Sequence, residues 1–178
     1  MVLGTLTWTP WTERPDLLAP PVVAALERWD HGATVTVAEI DPDLADTAAC
    51  CERYAIPMEA SANCVVVAGK RAGEVTLVAC VVLATTRADV NGLVRRHLGA
   101  RKASFAPMDQ AVEESGMEHG GITPIGLPDW PVLVDLAVTT AGPVIIGSGV
   151  RRSKLALDGA TIAHLSTAEV LDGLGTPT

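Results

Sequence analysis

Two neighbouring runs of β-branched residues constrain the fold of this chain more than any other feature. Residues 63–69 read NCVVVAG and residues 74–83 read EVTLVACVVL, and the turn GKRAG joins them. Valine and threonine favour extended backbone, and runs of this length are typical of buried strands. The two runs are therefore predicted to form a hairpin with one strand well buried, and the rest of the fold must build a sheet around it.

The length and composition predict one folded domain. The chain has 178 residues, of which 48% are hydrophobic and 19% charged, an ordinary balance for a globular protein. Trp8 and Trp11 stand near the start, among threonines and prolines without a helical or strand period. We expect an N-terminal arm over residues 1–19, packed through its tryptophans, and a single domain over residues 20–178.

The order of the remaining elements favours an α+β fold with a mixed, strongly curved sheet. Helices and strands do not alternate strictly, so a doubly wound parallel sheet is not expected. Helices are predicted at 20–29, 41–54, 86–99 (with Thr86 and Asp89 as a capping box), 107–114 and, through a capping box, from Ser166 to beyond Glu169. Further strands are predicted at 33–40, 102–105, 132–138, 143–149, 153–157 and near Ile162.

The charge and cysteine content exclude several classes of protein. The chain carries 13 basic and 21 acidic residues, a net charge of −8, so non-specific binding to DNA or another polyanion is not expected. Two small basic clusters, at residues 95–102 and 151–154, could still bind one nucleic-acid end or be merely solvated. Neither a membrane span nor a signal peptide is recognisable, which predicts a cytoplasmic protein. The four cysteines have no zinc-finger spacing, and we expect free thiols and no metal.

The glycine-rich stretch SGMEHGGITPIG, at residues 115–126, is the strongest candidate for a binding loop. Glycine allows backbone with positive φ and close approach of the main chain to a ligand. Pro124 then fixes the exit of the loop and biases Thr123 towards an extended conformation. Such a loop can direct several N–H groups at one point, as an oxyanion site requires. A plain connection between a helix and a strand is the alternative.

Four segments in this order resemble the YbaK family, whose domain is also inserted in or appended to bacterial prolyl-tRNA synthetases. They are SANCVVVAGK (61–70), SFAPMDQAVEESGMEHGGITPIG (104–126), VLVDLAV (132–138) and GSGVRRSKLAL (147–157). The resemblance implies a curved mixed sheet, partly open and barrel-like, surrounded by helices. It also implies hydrolysis of mischarged aminoacyl-tRNA, in trans or as an editing domain, without a metal or organic cofactor. The 3′ end of aminoacyl-tRNA, held weakly and in a salt-sensitive way, and an aminoacyl-tRNA synthetase are the implied partners.

The resemblance also implies roles for individual residues. The catalytic loop corresponds to Gly120-Gly121-Ile122-Thr123-Pro124, which would surround the aminoacyl ester with main-chain amides while water attacks it. Asp135 matches an aspartate expected to brace the pocket, and Gly147-Ser148-Gly149 matches a turn near the pocket wall. His119 and Arg151 are candidate contacts to the substrate, although an exposed role without function is an alternative for both.

One departure from the family pattern concerns the start of the first hairpin strand. Family members with editing chemistry typically carry a lysine there, whereas this chain has Asn63. Asparagine can donate and accept hydrogen bonds but supplies no positive charge. Two hypotheses therefore remain open: a trans-acting deacylase, or a catalytically weak module that binds an aminoacyl group, a small amino-acid-like ligand or a synthetase. Cys64 is expected to face the core, on the opposite side from Asn63.

Overall fold

The computed structural model describes residues 3–177 as strands and short helices in one body. The strands are β1 (Thr9–Pro10), β2 (Thr36–Glu39), β3 (Ala62–Arg71), β4 (Glu74–Leu83), β5 (Thr86–Ala88), β6 (Lys102–Phe105), β7 (Val132–Asp135), β8 (Pro143–Gly147), β9 (Ser153–Asp158), β10 (Ala168–Leu171) and β11 (Gly175–Pro177). The helices are α1 (Pro20–Arg28), α2 (Thr47–Tyr54), α3 (Arg95–His97, continuing a π-helical turn at Val90–Val94), α4 (Met108–Ser115), α5 (Leu136–Thr140) and α6 (Gly159–Ile162).

The predicted hairpin is confirmed and forms the centre of the larger sheet. β3 and β4 pair antiparallel from Ala62 opposite Leu83 to Arg71 opposite Glu74. Around them the five-stranded sheet has the order β10-β7-β4-β3-β6, in which β7 pairs parallel with both β4 and β10. A four-stranded sheet has the order β1-β2-β9-β8, and β5 pairs with β11 in a small ribbon. The fold class is therefore α+β, as predicted, with an open arrangement of several sheets.

The hydrophobic core lies mainly between the two large sheets. Val81 and Val134 of one sheet pack in the same cluster as Leu155 and Ile146 of the other, with Val22 of α1. The outer face of the five-stranded sheet is covered by the segment 90–98, and α2 covers the outer face of the four-stranded sheet. Both sheets are thus covered on both faces, which explains the nearly continuous apolar runs in their strands.

The N-terminal residues pack on the rest of the fold. β1 pairs with β2, and Trp11 is buried with its indole N–H donating to the Gly32 carbonyl at 3.0 Å. Leu17 and Leu18 also belong to the main core. The arm and the domain therefore share one hydrophobic core.

Several predicted elements were wrong, chiefly because pairing partners far along the chain override local signals. The predicted final helix is instead β10, which pairs parallel with all four residues of β7. Residues near Ile162 form α6 rather than a strand. The helix predicted from Asp41 begins only at Thr47, where the Asp46 carboxylate accepts from two backbone amides. Thr86 lies in a strand, and only Asp89 caps the helical segment that follows.

No helix among residues 3–177 is both long enough and apolar enough to cross a lipid bilayer.

Candidate functional site

A cavity of about 400 Å³ lies beside the unpaired edge of β3. β6 covers this edge only from Val67 to Lys70, so residues 62–66 have no strand beside them on that side. The Val66 carbonyl accepts from the Ala106 amide at 2.9 Å, and backbone groups alternate along an antiparallel strand. The N–H and C=O of Cys64 therefore also point towards this edge. The lining comprises residues 45–47, 61–66, 105, 106, 108, 111, 119, 120, 122, 145–147 and 154.

The glycine loop forms the opposite wall and is held by backbone hydrogen bonds. The Glu118 amide donates to the Gly149 carbonyl, and the Gly149 amide donates to the Gly121 carbonyl. Gly120 has a φ of +79°, which disfavours any side chain at this position. The Gly121 amide donates to the Glu118 carbonyl and is not available to a ligand. Within residues 3–177, by contrast, the Gly120 and Ile122 amides have no hydrogen-bond acceptor.

Gly147 allows this close approach of the loop to the four-stranded sheet. A Cβ atom at Gly147 would lie 2.5 Å from the Gly121 carbonyl oxygen and 2.8 Å from that of Ile122. These are backbone atoms, so a side chain at residue 147 would displace the loop. Of the predicted turn Gly147-Ser148-Gly149, Gly147 lines the cavity.

Asn63 lies in the wall formed by β3 and the start of α2. Its side-chain oxygen accepts from the Thr47 hydroxyl at 2.6 Å. Both residues line the cavity, together with Asp46. The Asp46 carboxylate is occupied as the N-cap of α2, where it accepts from Ala48 and Ala49. Asn63 is therefore held in place with its amide N–H groups left for a ligand.

Lys154, expected within the basic cluster 151–154, instead brings a buried cation to the cavity. Its side chain is only 8% exposed and its ammonium donates to the Ala45 carbonyl at 2.9 Å. No carboxylate within residues 3–177 forms an ion pair with it. Burial lowers the pKa of the Lys154 amine below the usual lysine value. The sequence signal was weak: Lys154 directly precedes the apolar run Leu155-Ala156-Leu157, which is buried in β9.

Arg151 has a bridging position at the back of the loop. Its guanidinium donates to the His119 carbonyl at 3.1 Å and to the Pro42 carbonyl at 3.0 Å, and its amide donates to the Glu118 carboxylate. Arg151 therefore ties the glycine loop to the segment before α2. It is not among the residues that line the cavity.

Ten of the twelve predicted site residues fall into two groups, and the other two are Arg151 and Asp135. Five of them line the cavity: Asn63, His119, Gly120, Ile122 and Gly147. Another five are buried behind the wall and support it: Gly121, Thr123, Pro124, Ser148 and Gly149. The Ser148 hydroxyl, for example, is 3.1 Å from the Ser153 carbonyl and has no free direction towards the cavity.

Neither cysteine chemistry nor a metal centre is supported by the described residues. Cys64 touches both the core and the cavity, and burial raises the pKa of its thiol. Burial also raises the pKa of Cys80 to about 12. Both thiols stay protonated near neutral pH and are poor nucleophiles. Within residues 3–177, no three His, Cys, Asp or Glu side chains are grouped so as to hold a metal ion.

Asp135 is not brought to the cavity. It ends β7 and caps α5, where its carboxylate accepts from the Ala137 amide at 2.7 Å and also from the Gly175 amide. The strand predicted to continue through Val138 stops here because the cap starts a helix. The structure therefore shows Asp135 joining α5 to β11.

We expect Asp135→Ala to lower the free energy of unfolding by about 1–2 kcal/mol, because two partly buried backbone hydrogen bonds lose their acceptor. Urea unfolding followed by circular dichroism measures this loss. Asp158→Ala is the matched control, since Asp158 is an exposed N-cap that accepts from the Ala160 amide alone. A smaller loss from Asp135→Ala than from the control would contradict the assignment.

Comparisons with known proteins agree with this architecture. The family model for the aminoacyl-tRNA editing domain matches residues 41–165. A crystal structure of a candidate trans-editing enzyme for prolyl-tRNA synthetase superposes with a TM-score of 0.73 at 21% identity, covering 86% of this chain and 94% of that one. The hypothetical protein APE2540 superposes with a TM-score of 0.75 at 18% identity, covering 88% and 99%.

These solved structures share the fold, while no curated protein sequence matches the chain. The family model covers the segment before α2, the hairpin, the glycine loop and β9, which are the parts that build the cavity. This chain belongs to the aminoacyl-tRNA editing domain family.

Proposed function

We propose that the protein is a trans-acting aminoacyl-tRNA deacylase that hydrolyses the ester of a mischarged tRNA in this cavity. The observation that carries the proposal is the combination of donors in one space. The cavity is lined by Gly120 and Ile122, whose amides have no hydrogen-bond acceptor within residues 3–177, and by Lys154, whose buried ammonium donates to the Ala45 carbonyl. Hydrogen-bond donors and a positive charge around a site sheltered from water are what an ester needs when its carbonyl oxygen becomes negative.

The reaction needs only water as a second reactant. A water oxygen attacks the carbonyl carbon of the aminoacyl ester, and the resulting tetrahedral oxyanion is stabilised by the loop amides and by Lys154. The bond to the ribose oxygen then breaks, that oxygen takes the proton that the attacking water has given up, and the free amino acid leaves. A neighbouring ribose hydroxyl can orient the water, so no nucleophilic side chain is required.

Lys154 offers a way for the chain to manage without a lysine at residue 63. The two strands β3 and β9 approach the cavity from different sheets, yet Asn63 and Lys154 both line it. We assign the charge to Lys154 and the positioning of the substrate to the Asn63 amide. In this assignment Thr47 fixes the orientation of Asn63, and Ala45 fixes that of Lys154.

Mischarged tRNA-Pro is the first substrate to test, because one structural relative is a candidate trans-editing enzyme for prolyl-tRNA synthetase. We propose that the protein works beside the translation machinery in the cytoplasm, where a synthetase is a natural partner. Discrimination between amino acids would come from the shape of the cavity, since one methylene in an apolar site changes binding by only about 1–3 kcal/mol.

The test is a deacylation assay with a panel of mischarged tRNAs, including Ala-tRNA-Pro, Cys-tRNA-Pro and Ser-tRNA, for wild type and Asn63→Lys. We expect turnover of at least one substrate by wild type. We also expect Asn63→Lys to be slower, because it places a second cation near Lys154 and removes the partner of Thr47. Silence of wild type together with activity of Asn63→Lys would favour the weak binding module instead.

A further inference from the structure

A second depression, the basic groove, lies next to the cavity along the strands β3 and β6. It has a volume of about 330 Å³ and is lined by Lys70, Arg95, Arg101 and Lys102, together with small and neutral residues. The groove contains four of the chain's 13 lysines and arginines, although the chain as a whole carries a charge of −8. Positive charge is therefore concentrated on a molecule that otherwise repels polyanions.

The cations of the basic groove are not neutralised by the protein itself. The ion pairs formed within residues 3–177 involve Arg14 and His97, and none involves a residue of the groove. Arg95 donates through Nε to the Asn91 carbonyl, which orients the guanidinium without cancelling its charge. Lys70, Arg101 and Lys102 are exposed. Clustered cations without carboxylate partners are available to an anionic ligand.

The groove and the cavity lie end to end. Ala68 and Lys70 of β3 line the groove, whereas residues 62–66 of the same strand line the cavity. On β6, Lys102 lies at the groove and Phe105 at the cavity. Three strand steps separate Lys102 from Phe105, a distance of about 10 Å, and the alternation of a strand places their side chains on opposite faces of β6. Because β6 is the edge strand of its sheet, a flexible chain of phosphates that contacts the groove can pass around this edge while its end enters the cavity.

Phe105 marks the junction between the two depressions. It is the only phenylalanine of the chain, and it is 62% exposed at the mouth of the cavity. Met108, 43% exposed, lines the cavity beside it. An exposed aromatic ring beside cations is the combination with which proteins bind single-stranded nucleic acid, because the ring stacks on a base.

We propose that the basic groove, Phe105 and the cavity form one track for the unpaired 3′ end of an RNA. The groove holds backbone phosphates, Phe105 stacks on a base near the terminus, and the terminal ester enters the cavity. The inference rests on the proposed function, because it is the ester that gives the end of the RNA a reason to enter. An acidic protein surface would also be attracted to the groove, but it would not need an aromatic ring at the junction.

Binding of a fluorescent acceptor-stem minihelix with a single-stranded CCA end, followed by anisotropy over a range of salt concentrations, tests the track. Each lost phosphate contact to a single strand should make the negative slope of log K against log salt shallower by about 0.7. Arg101→Ala/Lys102→Ala should therefore make the slope shallower by about 1.4. Phe105→Ala should weaken binding about tenfold and leave the slope unchanged. Arg28→Ala/Arg53→Ala, which removes two exposed cations elsewhere, is the matched control.

A slope that is the same in the double variant and in its control would overturn the proposal. The proposal would also be overturned if the variants weakened binding of a blunt duplex, which lacks the CCA end, as much as they weaken binding of the minihelix. Displacement of the minihelix by polyglutamate at the same charge concentration would overturn it as well. A short substrate, an aminoacyl ester of adenosine, separates this inference from the proposed function. The groove variants should hydrolyse it at the wild-type rate, whereas failure of wild type to hydrolyse it would count against the deacylase and not against the groove.

Discussion

Lys154→Met should lower the rate constant of deacylation by about 10²–10³-fold, the loss typical of removing one donor to a developing oxyanion. Methionine has nearly the length of lysine and fills the same buried space, so the cavity should keep its shape. The variant leaves the Ala45 carbonyl without its partner, at a cost of about 1–3 kcal/mol in stability. Single-turnover hydrolysis measured on the folded fraction separates the two effects.

The variant Lys154→Arg tests the same role of Lys154 through the pH dependence of hydrolysis. Burial lowers the pKa of the Lys154 amine, so the cation is lost at a lower pH than that of a surface lysine. Hydrolysis by wild type, corrected for the spontaneous reaction, should therefore decline on the alkaline side. Arginine stays charged throughout this range, so any activity that Lys154→Arg retains should not show this decline.

The contribution of Lys154 to the stability of the fold changes with pH in the opposite direction to its expected contribution to hydrolysis. The unfolded chain binds the proton of residue 154 more tightly than the folded chain does, because the folded pKa is the lower one. Between the two pKa values the contribution of this group to the free energy of unfolding rises with pH. Deprotonation of Lys154 therefore does not cause a loss of activity at alkaline pH by unfolding the protein. Unchanged hydrolysis in a folded Lys154→Met would contradict the assigned role.

Gly147→Ala should reduce kcat/KM by about 10²-fold or more. The added Cβ would lie against the carbonyl oxygens of Gly121 and Ile122, so the glycine loop must move away from the sheet. A displacement of about 1 Å at a reacting centre costs about 10²-fold in rate. Overpacking of this kind also lowers stability by about 1–3 kcal/mol, which thermal unfolding will report.

Gly142→Ala is the matched control, because Gly142 immediately precedes the same strand and a Cβ added to it would have no other atom within 4 Å. Its φ of +74° makes the substitution cost about 1 kcal/mol in stability, but the loop is not touched. Turnover per folded molecule should therefore match wild type. Equal kinetic losses in the two variants would show that Gly147 acts through general stability rather than through the loop.

Gly121 illustrates why the structure changes the choice of variants. From sequence alone, substitutions at Gly120 and Gly121 look like equivalent tests of the loop. A Cβ on Gly121 would lie 2.7 Å from backbone atoms of Val150, whereas one on Gly120 would meet only the flexible end of the Arg151 side chain. A large residue at Gly121 would therefore disturb the fold as well as the site.

Local patterns predicted the elements whose partners are close in sequence. The hairpin β3–β4 and the helix α4 before the glycine loop were recognisable because strand propensity, turn residues and apolar period all agree there. β10 was mistaken for a helix because its capping-box pattern, Ser166 to Glu169, is a local signal. Its true partner is β7, more than thirty residues earlier. Parallel pairing does not require a tight turn, so no turn pattern in the sequence links the two segments.

The site was only partly predictable for the same reason. Asn63 and the glycine loop stand out as motifs, and both line the cavity. Lys154 looked like one member of a basic surface cluster with Arg151 and Arg152, because burial of a lysine depends on what covers it. The cover is the segment from Ala45 to Thr47, which sequence proximity does not connect to β9. Asp135 differs in the converse way: its match to a motif predicts a residue in or beside the pocket that braces it, whereas the structure places it outside the cavity lining as the cap of α5.

The distance along the chain between the two sides of the cavity also has a consequence for synthesis of the protein on the ribosome. The Lys154 ammonium and the Ala45 carbonyl that meet there are 109 positions apart. At ordinary ribosomal speeds, roughly 5–20 s pass between the emergence of one and the other. Until then the valines of the hairpin lack their covering strands, and the cavity is incomplete. A growing chain of this protein therefore cannot carry out the proposed hydrolysis on the charged tRNAs that surround the ribosome, and it is exposed to aggregation for as long as it is incomplete.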